Sequence, residues 1–148
     1  MTSPITFTVH GTPAPQGSKS AFVNRHTGRA TLVESSKAVK PWRAAVVTEA
    51  QRHAGQLNPD EIWRCSILFA FPRPKTHYRS GRFSDELKPG APIRHTQKPD
   101  LDKLTRSTWD ALTTAGIIRD DAQIPDAHIR KIWIDKDEPA HATITLWA

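Results

Sequence analysis

The chain has 148 residues, the size of one domain with a substantial hydrophobic core. A hydrophobic content of 37% with five tryptophans excludes a wholly disordered chain. No run of about 18 apolar residues is present, which excludes a membrane-spanning helix, and no signal peptide is recognisable. Cys65 is the only cysteine, which excludes an internal disulfide, and we expect it to be a buried free thiol in a cytoplasmic protein.

Charge is unevenly distributed along the chain, whose formal net charge is +6. Residues 1–98 hold 15 Lys and Arg against six Asp and Glu, whereas residues 99–148 hold six against nine. A basic part can contact phosphates while an acidic part holds a metal ion. The charge is equally compatible with a general effect on solubility, so it does not assign a function by itself.

The first predicted elements are a strand and a hairpin. Ile5–His10 alternates apolar and polar residues, as a half-buried strand does. After a loop at 11–17, the apolar segments 21–23 and 30–33 flank His26-Thr27-Gly28-Arg29, a pattern typical of a β-hairpin.

A first helix is predicted from about Ser36 to Ala54. Ser35 or Ser36 can cap it, and Pro41 is compatible with a helix only near the first turn. Apolar residues recur at helical spacing through this stretch, and Gly55 is a natural end point.

A buried strand at Glu61–Phe71 is predicted to lead into a long basic segment at 72–98. That segment is roughly twice the length at which connections become uncommon. Its cations are interleaved with histidine, tyrosine and phenylalanine, a combination typical of surfaces that hold a nucleic-acid backbone and unpaired bases. The alternative is a disordered, solvated loop. The expected DNA contacts are six cations: Arg73, Lys75, Arg79, Arg82, Arg94 and Lys98.

The C-terminal third predicts a second helix and two closing strands. The helix runs from about Asp100 to Thr114, and Gly116 suits the position just beyond its end. Ile129–Ile134 and Ala142–Trp147 have the apolar content of strands. The predicted fold is therefore α+β: a single domain, 1–148, with helices packed on a mixed β-sheet and the long loop 72–98 inserted.

Two acidic segments flank the second helix. Asp100 and Asp102 lie at its start, and Asp120 and Asp121 follow its end. If the helix brings these carboxylates to one place, a divalent cation must offset their repulsion, and Mg²⁺ or Mn²⁺ suits an all-oxygen site. Taken singly, each segment also fits a simpler interpretation: helix capping for the first and a solvated turn for the second.

In combination these segments resemble the RusA family of Holliday-junction resolvases. The resemblance lies in Lys98-Pro-Asp-Leu-Asp-Lys-Leu, then Trp109-Asp-Ala-Leu, Ala115-Gly116 and Arg119-Asp-Asp-Ala-Gln-Ile. It covers about Lys98 to Lys131 in detail and the earlier elements more loosely. Four short motifs at fixed spacing are far more specific than any one of them.

The resemblance implies a small homodimeric endonuclease that cuts branched DNA with Mg²⁺, in a bacterial or phage-infected cell. It also implies that Asp100, Asp102 and Asp121 bind the metal, and that Asp120 is their acidic neighbour. Arg106 falls where the family typically has a functional lysine, and Lys103 where asparagine is usual. The segment 72–98 is longer than in the compact members.

Arg106 is expected to act as a fixed positive charge. Arginine effectively cannot lose its proton, so it cannot serve as a general base, but it can clamp a phosphate or stabilise transition-state charge. Lys103 can share this role, although one position beyond Asp102 it faces elsewhere on the helix.

The resulting hypothesis is a crossover junction endodeoxyribonuclease that resolves four-way junctions by paired symmetric cuts in recombination and repair. Two alternatives stay open: another metal-dependent, structure-selective DNA nuclease, and a non-catalytic DNA-binding protein whose acidic cluster is structural. The two-fold symmetry of a four-way junction favours a homodimer with two matching sites.

Overall fold

A computed structural model describes residues 3–17, 19–23, 30–34 and 37–148. Within these ranges the chain forms six strands and two α-helices: β1 (Ile5–His10), β2 (Lys19–Val23), β3 (Ala30–Glu34), α1 (Val39–Gln51), β4 (Arg64–Pro72), α2 (Leu101–Thr114), β5 (Asp126–Ile134) and β6 (His141–Trp147). Neither of these helices is long and apolar enough to cross a membrane.

The main sheet has four strands in the order β1-β6-β4-β5. Strands β4 and β5 are parallel, whereas β6 is antiparallel to both β1 and β4. The predicted mixed sheet and α+β class are therefore confirmed. Strands β2 and β3 form a separate antiparallel pair, which confirms the predicted hairpin pairing. The proposed turn at His26–Arg29 lies outside the described residues.

The core lies between the sheet and the two helices. In β4, Cys65, Ile67 and Phe69 are buried on one face at the two-residue spacing of a strand. Trp42 of α1 packs into the same core, and its Nε1 donates to Thr108 Oγ1 of α2 at 3.2 Å. This bond satisfies two buried polar groups at the interface between the helices. Cys65 is a buried free thiol, as expected, and burial raises its pKa to about 12.

The predicted boundaries of α1 are too wide. The helix begins at Val39, with Ala38 at its N-cap position, and not at about Ser36 as predicted. The proposed caps Ser35 and Ser36 lie outside the described residues. Pro41 lies in the first turn, as predicted, where its missing N–H costs no helical bond.

Strand β4 begins later than predicted. Pro59–Glu61 forms a short 3₁₀ turn in which the Asn58 side chain accepts from the Asp60 N–H, so Glu61 belongs to the turn and the strand begins at Arg64. A side chain that captures a nearby backbone N–H competes with strand pairing.

Helix α2 has the predicted end. Gly116 has a φ of +77°, and its N–H donates to Thr113 O while the Ile117 N–H donates to Leu112 O. This is a Schellman motif, in which a left-handed residue caps the last helical carbonyls. Ile117 and Leu112 are both buried in the core, which turns the chain back toward the second acidic segment.

Candidate active site

The first acidic segment forms the start of α2. Asp100 is the N-cap residue, with an extended backbone, but its side chain makes no capping hydrogen bond. Instead, Lys103 Nζ donates to Asp100 Oδ2 at 3.1 Å. Asp102 is exposed in the first helical turn, where the helix dipole favours an anion. Simple capping therefore does not explain Asp100, and both carboxylates face solvent.

Lys131 of β5 binds the backbone just before this helix. Its ammonium group donates to the backbone carbonyls of Gln97 and of Pro99, the latter at 2.8 Å. Charge-assisted bonds of this kind are stronger than neutral ones, so the strand fixes the position of the residues just before Asp100.

The Pro-rich loop 11–17 supports the same helix from another side. The Ser107 hydroxyl donates to Ala14 O at 2.6 Å, and the Gln16 N–H donates to Lys103 O at 3.0 Å. The start of α2 is thus held by both a strand and a loop, which keeps Asp100 and Asp102 on a rigid element.

The second acidic segment is a short 3₁₀ turn, Asp121–Gln123, with Asp120 as its N-cap. Asp120 Oδ1 accepts from the Ala122 N–H at 3.2 Å, and Gln123 Oε1 accepts from the backbone of Asp120. This capping box gives Asp120 a structural role. Asp121 is half-buried, and the turn that carries it contacts α2.

Gln123 ties this turn to the rest of the fold. Its Nε2 donates to Pro59 O at 2.6 Å and to Ile62 O at 2.9 Å, just before β4 begins. The glutamine of the Asp-Asp-Ala-Gln motif therefore anchors the backbone beside Asp121.

Charges of both signs meet beside Asp110. Burial is the main cause of the raised pKa of the Asp110 carboxyl, and the nearby Asp121 raises it further. Arg43 and Arg106 oppose this shift. The helical face that carries Arg106 and Asp110 thus lies near Asp121. Sequence reasoning missed Arg43, because only the packing of α1 against α2 brings it here.

The donor set suits a hard divalent cation, because every candidate ligand is a carboxylate. Among the described residues, however, no group of three or more His, Cys, Asp or Glu side chains is arranged to hold a metal ion. These described residues therefore form no ready-made closed site, and the assignment of Asp100, Asp102 and Asp121 as metal ligands stays a prediction.

The six predicted DNA contacts differ in their surroundings. Two are tied internally: Arg73 donates to Pro92 O at 2.6 Å, and Arg79 forms an ion pair with Glu86 at 2.6 Å. The remaining four are exposed and have no ion-pair partner in the described part of the chain: Lys75, Arg82, Arg94 and Lys98.

Segment 72–98 is folded rather than an open loop. It contains 3₁₀ turns at Lys75–His77 and Gly81–Phe83. The His95 ring stacks on Trp133 of β5, with 3.9 Å between ring centroids, and the Trp133 Nε1 donates to Arg94 O at 3.3 Å. Burial is the main cause of a lowered pKa for His95, in keeping with a neutral, stacked ring.

Comparison with known proteins identifies the family. A search of curated protein sequences gave no significant match. The family model described as Endodeoxyribonuclease RusA matches residues 11–146, nearly the whole chain and both acidic segments. The chain therefore belongs to the RusA endodeoxyribonuclease family, hydrolases that act on Holliday junctions.

Proposed function

We propose that this enzyme is a Mg²⁺-dependent resolvase that acts in DNA recombination and repair, in the cytoplasm of a bacterial or phage-infected cell. We also propose that residues 1–148 form one endonuclease domain with 72–98 as an insertion. The observation that carries the proposal is the position of Asp100: it stands at the N-cap of α2, yet its carboxylate makes no capping bond. A carboxylate without a capping role at this position, in a chain of this family, is available for a metal ion.

The proposed ligands are Asp100, Asp102 and Asp121. When bound, Mg²⁺ (or Mn²⁺) supplies Lewis-acid activation of water and charge stabilisation at the scissile phosphate. The protein contributes position: Lys103 restrains Asp100, and the Asp120 capping box holds the turn that carries Asp121.

Arg106 contributes a permanent positive charge beside these carboxylates. It is exposed on α2 four residues beyond Asp102, so the two share a helical face. Since a guanidinium group stays protonated, its role is to bind phosphate oxygens and stabilise developing charge.

Resolution requires two opposed cuts in a two-fold symmetric substrate. One chain carries one candidate site, so we propose a homodimer that presents two sites in matching orientation.

Parallel digests test this proposal. A synthetic four-way junction, a Y-shaped fork and a linear duplex are incubated with the enzyme in Mg²⁺, and again in EDTA. We expect Mg²⁺-dependent, symmetric nicks in the junction at a rate well above that for the other substrates. Equal cutting of all three substrates would contradict junction selectivity and indicate a less selective nuclease. Cutting in EDTA would contradict the proposed metal dependence.

A further inference from the structure

A hairpin at residues 77–88 projects from the basic segment; we call it the loop hairpin. Its two sides pair through a β-bridge between Tyr78 and Leu87, and the Arg79 N–H donates to Glu86 O at 2.8 Å. The 3₁₀ turn Gly81–Phe83 forms its tip, where Gly81 has a φ of +69° that favours glycine.

The body of the protein braces the base of this hairpin. Tyr78 is buried, and its hydroxyl oxygen accepts from the Lys136 N–H at 3.0 Å. The Lys136 ammonium group pairs with Asp85 at 2.6 Å, and the His77 ring meets Trp133 edge-on at 5.0 Å. The hairpin is therefore held in one orientation and does not need to be ordered by a ligand.

The tip presents an aromatic ring together with two guanidinium groups. Phe83 is 37% exposed, and the guanidinium carbons of Arg79 and Arg82 lie 4.2 and 4.9 Å from its ring centroid. An aromatic ring accompanied by arginine is the combination on which proteins stack unpaired bases.

Exposed hydrophobic side chains concentrate in the same segment. Of the four large ones in the described residues, Phe83, Leu87 and Ile93 lie between 72 and 98, and only Trp63 lies elsewhere. Exposed apolar groups set among cations are unfavourable in water and favourable against nucleobases.

A cationic cleft of about 590 Å³ lies beside the hairpin. It is lined by four cations and by hydroxyl-bearing side chains: Lys75, Arg79, Lys88, Lys136, Thr76, Tyr78, Ser80 and Ser84. Lys75 and Lys88 have no ion-pair partner in the described part of the chain. Ammonium and hydroxyl groups are the donors that phosphates accept from.

The hairpin is also fixed relative to the candidate active site. The same segment continues to Asp100 at the start of α2. On the way, the Arg94 and Gln97 carbonyls accept hydrogen bonds from Trp133 and Lys131 of β5, respectively. These contacts hold the segment at a constant position relative to β5 and to Asp100 at the start of α2.

We propose that the loop hairpin engages unpaired bases at the branch point of the DNA. Phe83 stacks on a base that has lost its partner, and the adjoining cleft holds the phosphates of that strand. This inference rests on the proposed function for its substrate and adds a branch-opening element to it. Opening is cheapest where bases are already unstacked, so the element favours a branch point over a continuous duplex.

The test uses four-way junctions with 2-aminopurine at each branch-point position in turn. Fluorescence rises where the labelled base unstacks, as the former partner of a base held by Phe83 does. Binding is measured in EDTA, so that no cleavage occurs, alongside a duplex with the same label. We expect the wild-type protein to raise junction fluorescence several-fold. Phe83→Ala should abolish most of this rise and weaken junction binding by roughly 5- to 150-fold, the size expected for one stacked base, while duplex binding stays within about twofold.

Three further variants sharpen the result. Phe83→Leu keeps an apolar side chain at the tip and should lose the signal as Phe83→Ala does. Phe83→Trp keeps a ring that can stack and should bind the junction as tightly as the wild type does. Trp63→Ala removes an exposed ring outside the segment and should behave as wild type. An undiminished signal in Phe83→Leu, or an equal loss in Trp63→Ala, would overturn the proposal. The fluorescence assay omits Mg²⁺, so its result is separate from cleavage. The fluorescence rise can be absent while the wild type cleaves the junction, or present while it does not.

Discussion

Asp120 and Gln123 cap each other across the turn that carries Asp121. The Asp120 side chain accepts a hydrogen bond from the turn, and the Gln123 side chain accepts from the backbone N–H groups of Asp120 and Arg119 at 3.3 and 2.8 Å. Gln123 also donates to the carbonyls before β4. One glutamine thus joins the acidic turn to the sheet.

Gln123→Ala should therefore lower the free energy of unfolding by about 2–6 kcal/mol, since it removes four hydrogen bonds worth about 0.5–1.5 kcal/mol each. Urea denaturation measures the change. Gln51→Ala, on the exposed side of α1, is the control and should stay within about 0.5 kcal/mol of wild type. Equal stabilities for the two variants would show that the Gln123 contacts contribute little.

Arg106→Gln should lower kcat on the junction by roughly 10²–10³-fold, because it removes a charge proposed to stabilise the transition state. Arg106→Lys should retain more activity than Arg106→Gln, since it keeps the charge but not the planar fork. Arg119→Gln is the control: that arginine is exposed and pairs with Asp60. Wild-type kcat in Arg106→Gln would remove Arg106 from the mechanism.

Asp110→Asn should stabilise the metal-free protein at neutral pH. The folded-state pKa of Asp110 is raised, so the native state binds its proton more tightly than the unfolded state, whose pKa is about 3.9. The free energy of unfolding that Asp110 contributes in the wild type therefore falls as the pH rises from the unfolded-state pKa to the higher folded-state pKa.

Urea unfolding in EDTA at neutral and acidic pH measures this difference. The advantage of the variant should shrink as the pH falls toward the unfolded-state value. A variant less stable than wild type at neutral pH would mean that Arg43 and Arg106 outweigh the cost of burying the carboxylate.

Neutralising Arg79, Arg82 and Arg94 together should weaken DNA binding and flatten its salt dependence. The log–log slope should fall by roughly 0.9 per lost phosphate contact. Arg79→Gln alone should change the slope less than Arg94→Gln, because Glu86 already neutralises Arg79. Arg52→Gln on α1 is the control, and an unchanged slope in the triple variant would exclude the segment from DNA binding.

Local patterns predicted much of the fold. The alternation in Ile5–His10 and the glycine after α2 depend on neighbours in sequence, and both elements appear where expected. The start of α1 is not predictable in the same way, because a helix can begin several residues after a serine that is able to cap it. The predicted start of β4 at Glu61 is too early, because the Asn58 side chain forms a local turn that delays the strand to Arg64.

The candidate site was predictable only in part. Spacing placed Arg106 and Asp110 on one face of α2, and the structure brings Asp121 near that face. The contributions of Arg43 and Lys131 depend on tertiary packing between distant elements, so no local pattern indicates them. Segment 72–98 resembles a disordered loop in composition, and only its contacts with Trp133 and Lys136 reveal that it is folded.

Nicking of a synthetic four-way junction by wild type and by Asp102→Asn tests the central claim most directly. Asp137→Asn, an exposed aspartate between β5 and β6, is the matched control. The account predicts Mg²⁺-dependent nicks from wild type and the control, and none from Asp102→Asn. Junction binding by Asp102→Asn should be kept or strengthened, since less negative charge faces the phosphates. Wild-type cleavage by Asp102→Asn would contradict the account.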